Sequence, residues 1–188
     1  MGVKDFKSDV DFTVRIGGEG GEGVISCGEL FAQAVARTEY HVFTYISYPA
    51  EMRGGYSMIH IRTRDWTIYS MGGNVSFMVA FNQKAYDNII KYLRKGGMVI
   101  YDSDTVEVDE SKDAEFYPIP LTKISREVTG VQLGKNVVAL GALGSLFNID
   151  RTLLEQLIRD RFSHKSDEII QNNINVLKAG YKAGDDHN

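Results

Sequence analysis

Cysteine is all but missing: Cys27 is the single one in 188 residues. One thiol makes no internal disulfide, and it excludes a four-cysteine zinc site or a cysteine-ligated iron–sulfur cluster held by this chain alone. Proline is almost as scarce, at 3 residues against 19 glycines. That balance points to tight turns and close backbone approaches, not to a disordered tail. No apolar run approaches the about 20 residues needed to cross a bilayer, so no membrane role is expected. Charge of one sign is not in excess either. With 21 basic and 25 acidic residues the net charge is −4, which gives no reason to expect nucleic acid as a partner. His41, His60, His164 and His187 show no metal-ligand spacing. Residues 1–9 are of mixed charge without the apolar core of a secretory signal, so a cytoplasmic, reducing location is expected.

What remains is ordinary globular material, 43% hydrophobic and 24% charged, long enough to bury a sizeable core without staples. One domain is expected over residues 1–188, with a core from about 12 to about 183. Phe12, Val14 and Ile16 alternate with Thr13 and Arg15, the pattern of a strand. A run of glycines ends it, and Val24, Cys27, Leu30, Phe31, Ala34 and Val35 then recur at helical spacing. Further strands are expected at residues 41–46, 56–63, 65–69, 75–81, 98–101 and 116–119. Helices are expected at residues 82–94 and 136–147, and then behind the caps Asp150 and Ser166, the last with Ile169, Ile170, Ile174, Leu177 and Tyr181 facing inward. Strands alternating with helices predict a three-layer α/β fold, a mostly parallel Rossmann-like sheet with helices on both faces.

The glycine run carries the strongest chemical signal. Gly18-Glu19-Gly20-Gly21-Glu22-Gly23 satisfies G-x-G-x-x-G between a strand and a helix. Residues without Cβ let backbone approach an anion, and the free N–H groups of a helix start point at it. Val24 stands where a P-loop would place lysine. A nicotinamide dinucleotide would want an acid at the end of the second strand, where Ile46-Ser47-Tyr48 stands instead. The plain alternative is a tight turn without a ligand; Glu19 and Glu22 favour it unless they turn away from the site. A second turn, residues 47–55, should lie on the same sheet edge. There Tyr45, Ser47 and Tyr48 offer hydroxyls and flat faces, and Arg53 a fixed charge for a phosphate or a partner carboxylate. Cys27 lies on the apolar stripe of its helix and reads as a small buried hydrophobe. Asp102 and Asp104 read as a solvated turn, with cation binding the lesser alternative. No nucleophile–base pair stands out.

The order of these signals resembles the gamma subunit, or gamma domain, of 2-oxoacid:ferredoxin (acceptor) oxidoreductases, most of all the form fused to the alpha subunit in 2-oxoglutarate-type enzymes. The resemblance is carried by five segments: residues 15–24, residues 44–55 with Glu51-Met52-Arg53-Gly54-Gly55, Val79-Ala80-Phe81-Asn82, Asn136-Val137-Val138-Ala139-Leu140-Gly141-Ala142, and an ending from Phe162-Ser163-His164-Lys165 to Gly180-Tyr181. Two departures are visible: many members have Gln where Glu22 stands, and a Gly between the residues equivalent to Tyr48 and Pro49. The resemblance implies a non-catalytic subunit of a complex that decarboxylates a 2-oxoacid oxidatively to an acyl-CoA. Its partners would be alpha, thiamine-binding beta and ferredoxin-like subunits. Thiamine diphosphate and iron–sulfur clusters would sit in those chains, and this one would share a coenzyme A site. On that implication Gly18, Glu19, Gly20, Gly21, Glu22, Gly23, Tyr45, Ser47, Tyr48 and Arg53 are the candidate cofactor-binding residues. A purely structural subunit and an independent dinucleotide-dependent oxidoreductase are the rival readings.

Overall fold

The computed structural model describes residues 10–49, 55–130 and 134–186. β1 (Asp11–Glu19) runs into the glycine loop, and α1 (Val24–Ala36) leaves it. β2 (His41–Ser47) and β3 (Tyr56–Arg64) follow, then β4 (Val75–Ala80), α2 (Gln83–Ile89), a 3-10 turn (Ile90–Tyr92), β5 (Leu93–Asp102) and β6 (Ala114–Ile119). Four helices end the chain: α3 (Leu121–Thr129), α4 (Lys135–Leu146), α5 (Arg151–Arg161) and α6 (Asp167–Asp185).

The six strands form one sheet in the order β2-β3-β1-β4-β5-β6. β1, β4, β5 and β6 pair in parallel. β3 is antiparallel to both β1 and β2, so β2 points the same way as β1 without touching it. The sheet is therefore mostly parallel with one reversed strand inside it. Antiparallel pairing of β2 with β3 brings Ser47 and Tyr56 to the edge where β1 ends, the edge the sequence predicts, but by a different route from a parallel neighbour.

The core is unequal on the two faces. Phe12, Val14, Ile16, Ile59, Ile61, Val79, Ile100 and Ile119 pack against α1, α3, α4, α5 and α6. Rings of Phe12, Phe31, Phe77 and Phe147 interlock there at centroid distances of 4.8–5.7 Å. The opposite face is covered over β4, β5 and β6 by α2 and the loop after β5, with Met78, Ala80 and Val99 against Ala85, Tyr86, Ile89 and Val106.

Four local differences from the sequence reading have physical causes. Residues 65–69 form no strand: side chains of β3 hold Trp66 and the carbonyls of the two residues that follow the segment. Arg62 donates to Ser70 O (2.9 Å), His60 contacts Met71 O (2.7 Å), and the Arg64 guanidinium stacks on Trp66. The helix expected to reach residue 94 ends at Ile89, because Leu93 already pairs with Val75 in the sheet. α3 escapes the sequence reading because its start is capped from across the fold. Asp102 accepts from Thr122 Oγ1 (2.5 Å) and Asp104 from the Lys123 N–H (2.8 Å). Those two aspartates, read as a solvated turn, are thus a helix cap, and Asp102 is fully buried. Ile169, expected inside, is exposed, whereas Ile174 and Leu177 are buried. Asp150 and Ser166 cap α5 and α6 as the sequence indicates.

Candidate functional site

β1 delivers the glycine loop to the carboxyl end of the sheet, where ligands of open α/β sheets bind. Each glycine there answers a different demand. A Cβ on Gly18 would fall 2.6 Å from Glu22 Oε2 and 2.7 Å from Val24, because the loop folds back over the strand. Gly21 and Gly23 have φ of 96° and 78°, the left-handed region that glycine occupies at no steric cost. A Cβ on Gly23 would also strike Asn136 at the start of α4. Gly20 is different: its φ is not left-handed and a Cβ would have 3.8 Å to Ser57 Oγ, so nothing in the backbone requires glycine there.

Glu22 does not face the cleft. Its carboxylate turns back under the loop, where it accepts from the Glu19 N–H (2.7 Å) and from Asn82 Nδ2 (2.8 Å) and is paired with Lys135 Nζ. Asn82 in turn caps α2 by accepting from the Ala85 N–H. Lys135 also donates to Phe81 O at 3.3 Å. Of the two acids that argued against an anion site, Glu22 is therefore neutralised and turned inward, whereas Glu19 stays on the cleft wall.

The loop then opens a cleft of about 820 Å³ lined by Glu19, Gly20, Gly21 and Gly23, by the first turn of α1, and by Tyr48, Pro49 and Ser57. Its floor is a helix start without a side-chain cap or an acidic residue. The first intrahelical bond runs from the Cys27 N–H to Gly23 O, so among the described residues the N–H groups of Val24, Ile25 and Ser26 have no partner. Those three donors, the positive end of the helix dipole and the Ser26 hydroxyl converge where glycine admits a ligand. The volume is within the usual range for small-molecule sites.

Of the ten residues singled out from the sequence, Glu19, Gly20, Gly21, Gly23 and Tyr48 line the cleft. Gly18 lies beneath the loop and Glu22 braces it. Tyr45 and Ser47 alternate with Ile46, which packs on the helical core, and so face the other side of the sheet. Arg53 lies outside the described residues. Val24, Ile25, Ser26, Pro49 and Ser57 were missed. The first three were legible as the first turn of the helix after the loop. Ser57 enters only through its register opposite Gly18. Cys27 is buried, and burial pushes its thiol pKa up, away from reactivity. Among the described residues, no three His, Cys, Asp or Glu side chains gather as a metal site, and no helix is long and apolar enough to span a membrane.

Comparisons with known proteins agree on one family. Residues 13–183 match the family described as pyruvate ferredoxin/flavodoxin oxidoreductase. The ketoisovalerate oxidoreductase subunit VorA of Methanothermobacter marburgensis is 32% identical over 184 residues, which is 95% of this chain and 38% of that protein. The 2-oxoglutarate synthase subunit KorC of Methanocaldococcus jannaschii is 30% identical, covering 90% of this chain and 91% of its own length. Among solved structures, the 2-oxoglutarate:ferredoxin oxidoreductase of Magnetococcus marinus, with 2-oxoglutarate, coenzyme A and succinyl-CoA bound, superposes with a TM-score of 0.87 at 34% identity. It covers 95% of this chain, and the chain covers 31% of it. The chain thus spans about a third of some relatives and nearly the whole of others. Fold, loop and sequence together show that this chain belongs to the pyruvate ferredoxin/flavodoxin oxidoreductase family.

Proposed function

We propose that this chain is the gamma component of a 2-oxoacid:ferredoxin oxidoreductase, that it holds part of coenzyme A, and that it carries out no bond chemistry itself. The observation that carries the reading is the cleft at the start of α1, where three N–H groups unpartnered among the described residues face a glycine-lined space whose helical floor carries no acid and whose wall carries Glu19. A pyrophosphate or phosphate is the group such a cradle holds best. The exposed Tyr48 ring and Pro49 offer an apolar wall for the pantetheine or adenosine part. The bound ligands of the Magnetococcus relative support coenzyme A as the choice. A nicotinamide dinucleotide is disfavoured because β2 ends in Ile46 and Ser47, without an acid for a ribose. Decarboxylation and electron transfer fall to thiamine diphosphate and iron–sulfur clusters in the alpha, beta and ferredoxin-like partners.

The test is calorimetric titration of the assembled complex, and of the chain alone, with coenzyme A and with NAD. Saturable coenzyme A binding that includes this chain, with no NAD binding, is the expected result. Tight NAD binding by the chain alone would replace this reading with an independent oxidoreductase. Coenzyme A binding by the complex that is indifferent to every change in the cleft would leave a purely structural subunit.

A further inference from the structure

The sheet has a second, partly open face, on the side away from most of the helices. There the register sets β1 Arg15, β3 His60 and β2 Tyr45 in one row, and Thr13, Arg62 and Phe43 in the next. Residues 65–73 lie across β3, and Tyr92 stands over Arg15, with the guanidinium 5.0 Å from the ring centroid. The outer surface is aromatic: Tyr45, Tyr69 and Tyr92 are 44%, 86% and 48% exposed, and Phe43 and Met71 are nearly as open as Tyr45. Arg15 lies at the centre of this surface and is 7% exposed. Its Nε donates to His60 Nδ1 at 3.2 Å. Among the described residues its two terminal nitrogens have no hydrogen-bond partner and no carboxylate pairs with it. Lys91 and Arg94 flank the same face, also without ion pairs among the described residues. A chain of net charge −4 thus presents a basic aromatic face around a buried guanidinium with an open end.

We infer that this face docks a partner subunit of the complex, by an apolar segment that brings a carboxylate onto Arg15. Aromatic and arginine side chains are the residues that anchor protein interfaces, and a guanidinium left without its anion needs one when water is excluded. The occupant is argued from two observations. The basic character of the face calls for an acidic counterpart, and this chain is about a third of a longer polypeptide in the Magnetococcus and VorA relatives. In those proteins the matching region is part of a longer chain, whereas the KorC relative of Methanocaldococcus jannaschii is matched over 91% of its length; a gamma component built as its own chain needs a surface that joins it to its partners. This inference rests on the subunit role proposed above.

The experiment measures the dissociation constant between the full-length chain and the separately purified remaining subunits of its own complex. Tyr45→Glu and Tyr92→Glu, both at exposed positions, should each weaken assembly at least tenfold with melting temperature unchanged. Arg15→Met should weaken it similarly and flatten its dependence on sodium chloride. Ile169→Glu, exposed on α6 across the molecule, should stay within threefold of wild type. If the wild-type chain assembles and both tyrosine variants assemble equally well, this surface assignment fails while the subunit role stands. If the wild-type chain does not assemble at all, the role fails and the assignment with it. If light scattering shows the chain alone to be a dimer that Tyr45→Glu dissociates, the face belongs to a second copy and the partner assignment is overturned.

Discussion

Glu22 is a charged residue in the middle of a loop read as an anion site, and its partners explain why the two are compatible. Lys135, Asn82 and the Glu19 N–H all converge on its carboxylate, so it fixes the loop from below and leaves the cleft to the backbone. Hydrogen bonds to a charged group contribute about 1.5–3 kcal/mol. Glu22→Ala should therefore destabilise the chain by about that amount in urea unfolding, whereas Glu22→Gln, which keeps an acceptor for the Glu19 N–H, should cost less. His60 makes a second prediction. Burial holds its pKa below the ordinary value, the contact with the Met71 carbonyl opposes this, and Arg15 and Arg62 reinforce it. The native state therefore keeps His60 neutral where the unfolded chain already takes up a proton. Stability is full above the ordinary histidine pKa of about 6.5 and falls as pH drops below it, toward the lower native value. Thermal melts at pH 7.5 and 5.5 should show this loss in the wild type and a flatter profile in His60→Gln.

The elements meet where the family's sequence segments lie. Phe81 closes β4 against β1 through its N–H to Gly17 O, Asn82 starts α2, and Asn136 at the start of α4 packs on Gly23. Segments far apart in the chain thus form one structure around the loop. A single glycine pattern therefore says little, while several segments in order identify the fold. The same reasoning applies between α4 and α6. A Cβ on Gly180 would fall 2.1 Å from Val138 O, and one on Gly141 would fall 2.3 Å from Leu177 O, so the two backbones touch. Gly180→Ala should cost about 3 kcal/mol, the upper end for overpacking. Gly73→Ala, with nothing within 4 Å, should change stability by less than about 0.5 kcal/mol in the same unfolding experiment.

At the scale of the whole molecule, hydrophobic periodicity gave the strand–loop–helix opening and most later elements, because each buries one face against one core. It could not give the reversal of β3: a hairpin and a parallel crossover present the same alternation, and only pairing distinguishes them. It also missed the pinning of residues 65–73 and the capping of α3, which depend on side chains distant in sequence. For the site, glycine positions were legible because they answer local backbone demands. The direction of Glu22, and the departure of Tyr45 and Ser47 to the opposite face, were not, because both follow from tertiary packing.

On the proposed function, coenzyme A would be held through backbone donors that only a small residue leaves open, and Gly20 isolates that requirement. A side chain fits there without backbone strain and points among Ser57 and Pro49, into the space a ligand would take. The decisive quantity is the coenzyme A dissociation constant of the assembled complex carrying Gly20→Val, compared with wild type at equal melting temperature. Loss of a charge-assisted contact of about 1.5–3 kcal/mol predicts a rise of roughly ten- to a hundredfold, at about 1.4 kcal/mol per decade. An unchanged constant in a fully folded, fully assembled variant would contradict the assignment and leave the loop as a turn between β1 and α1.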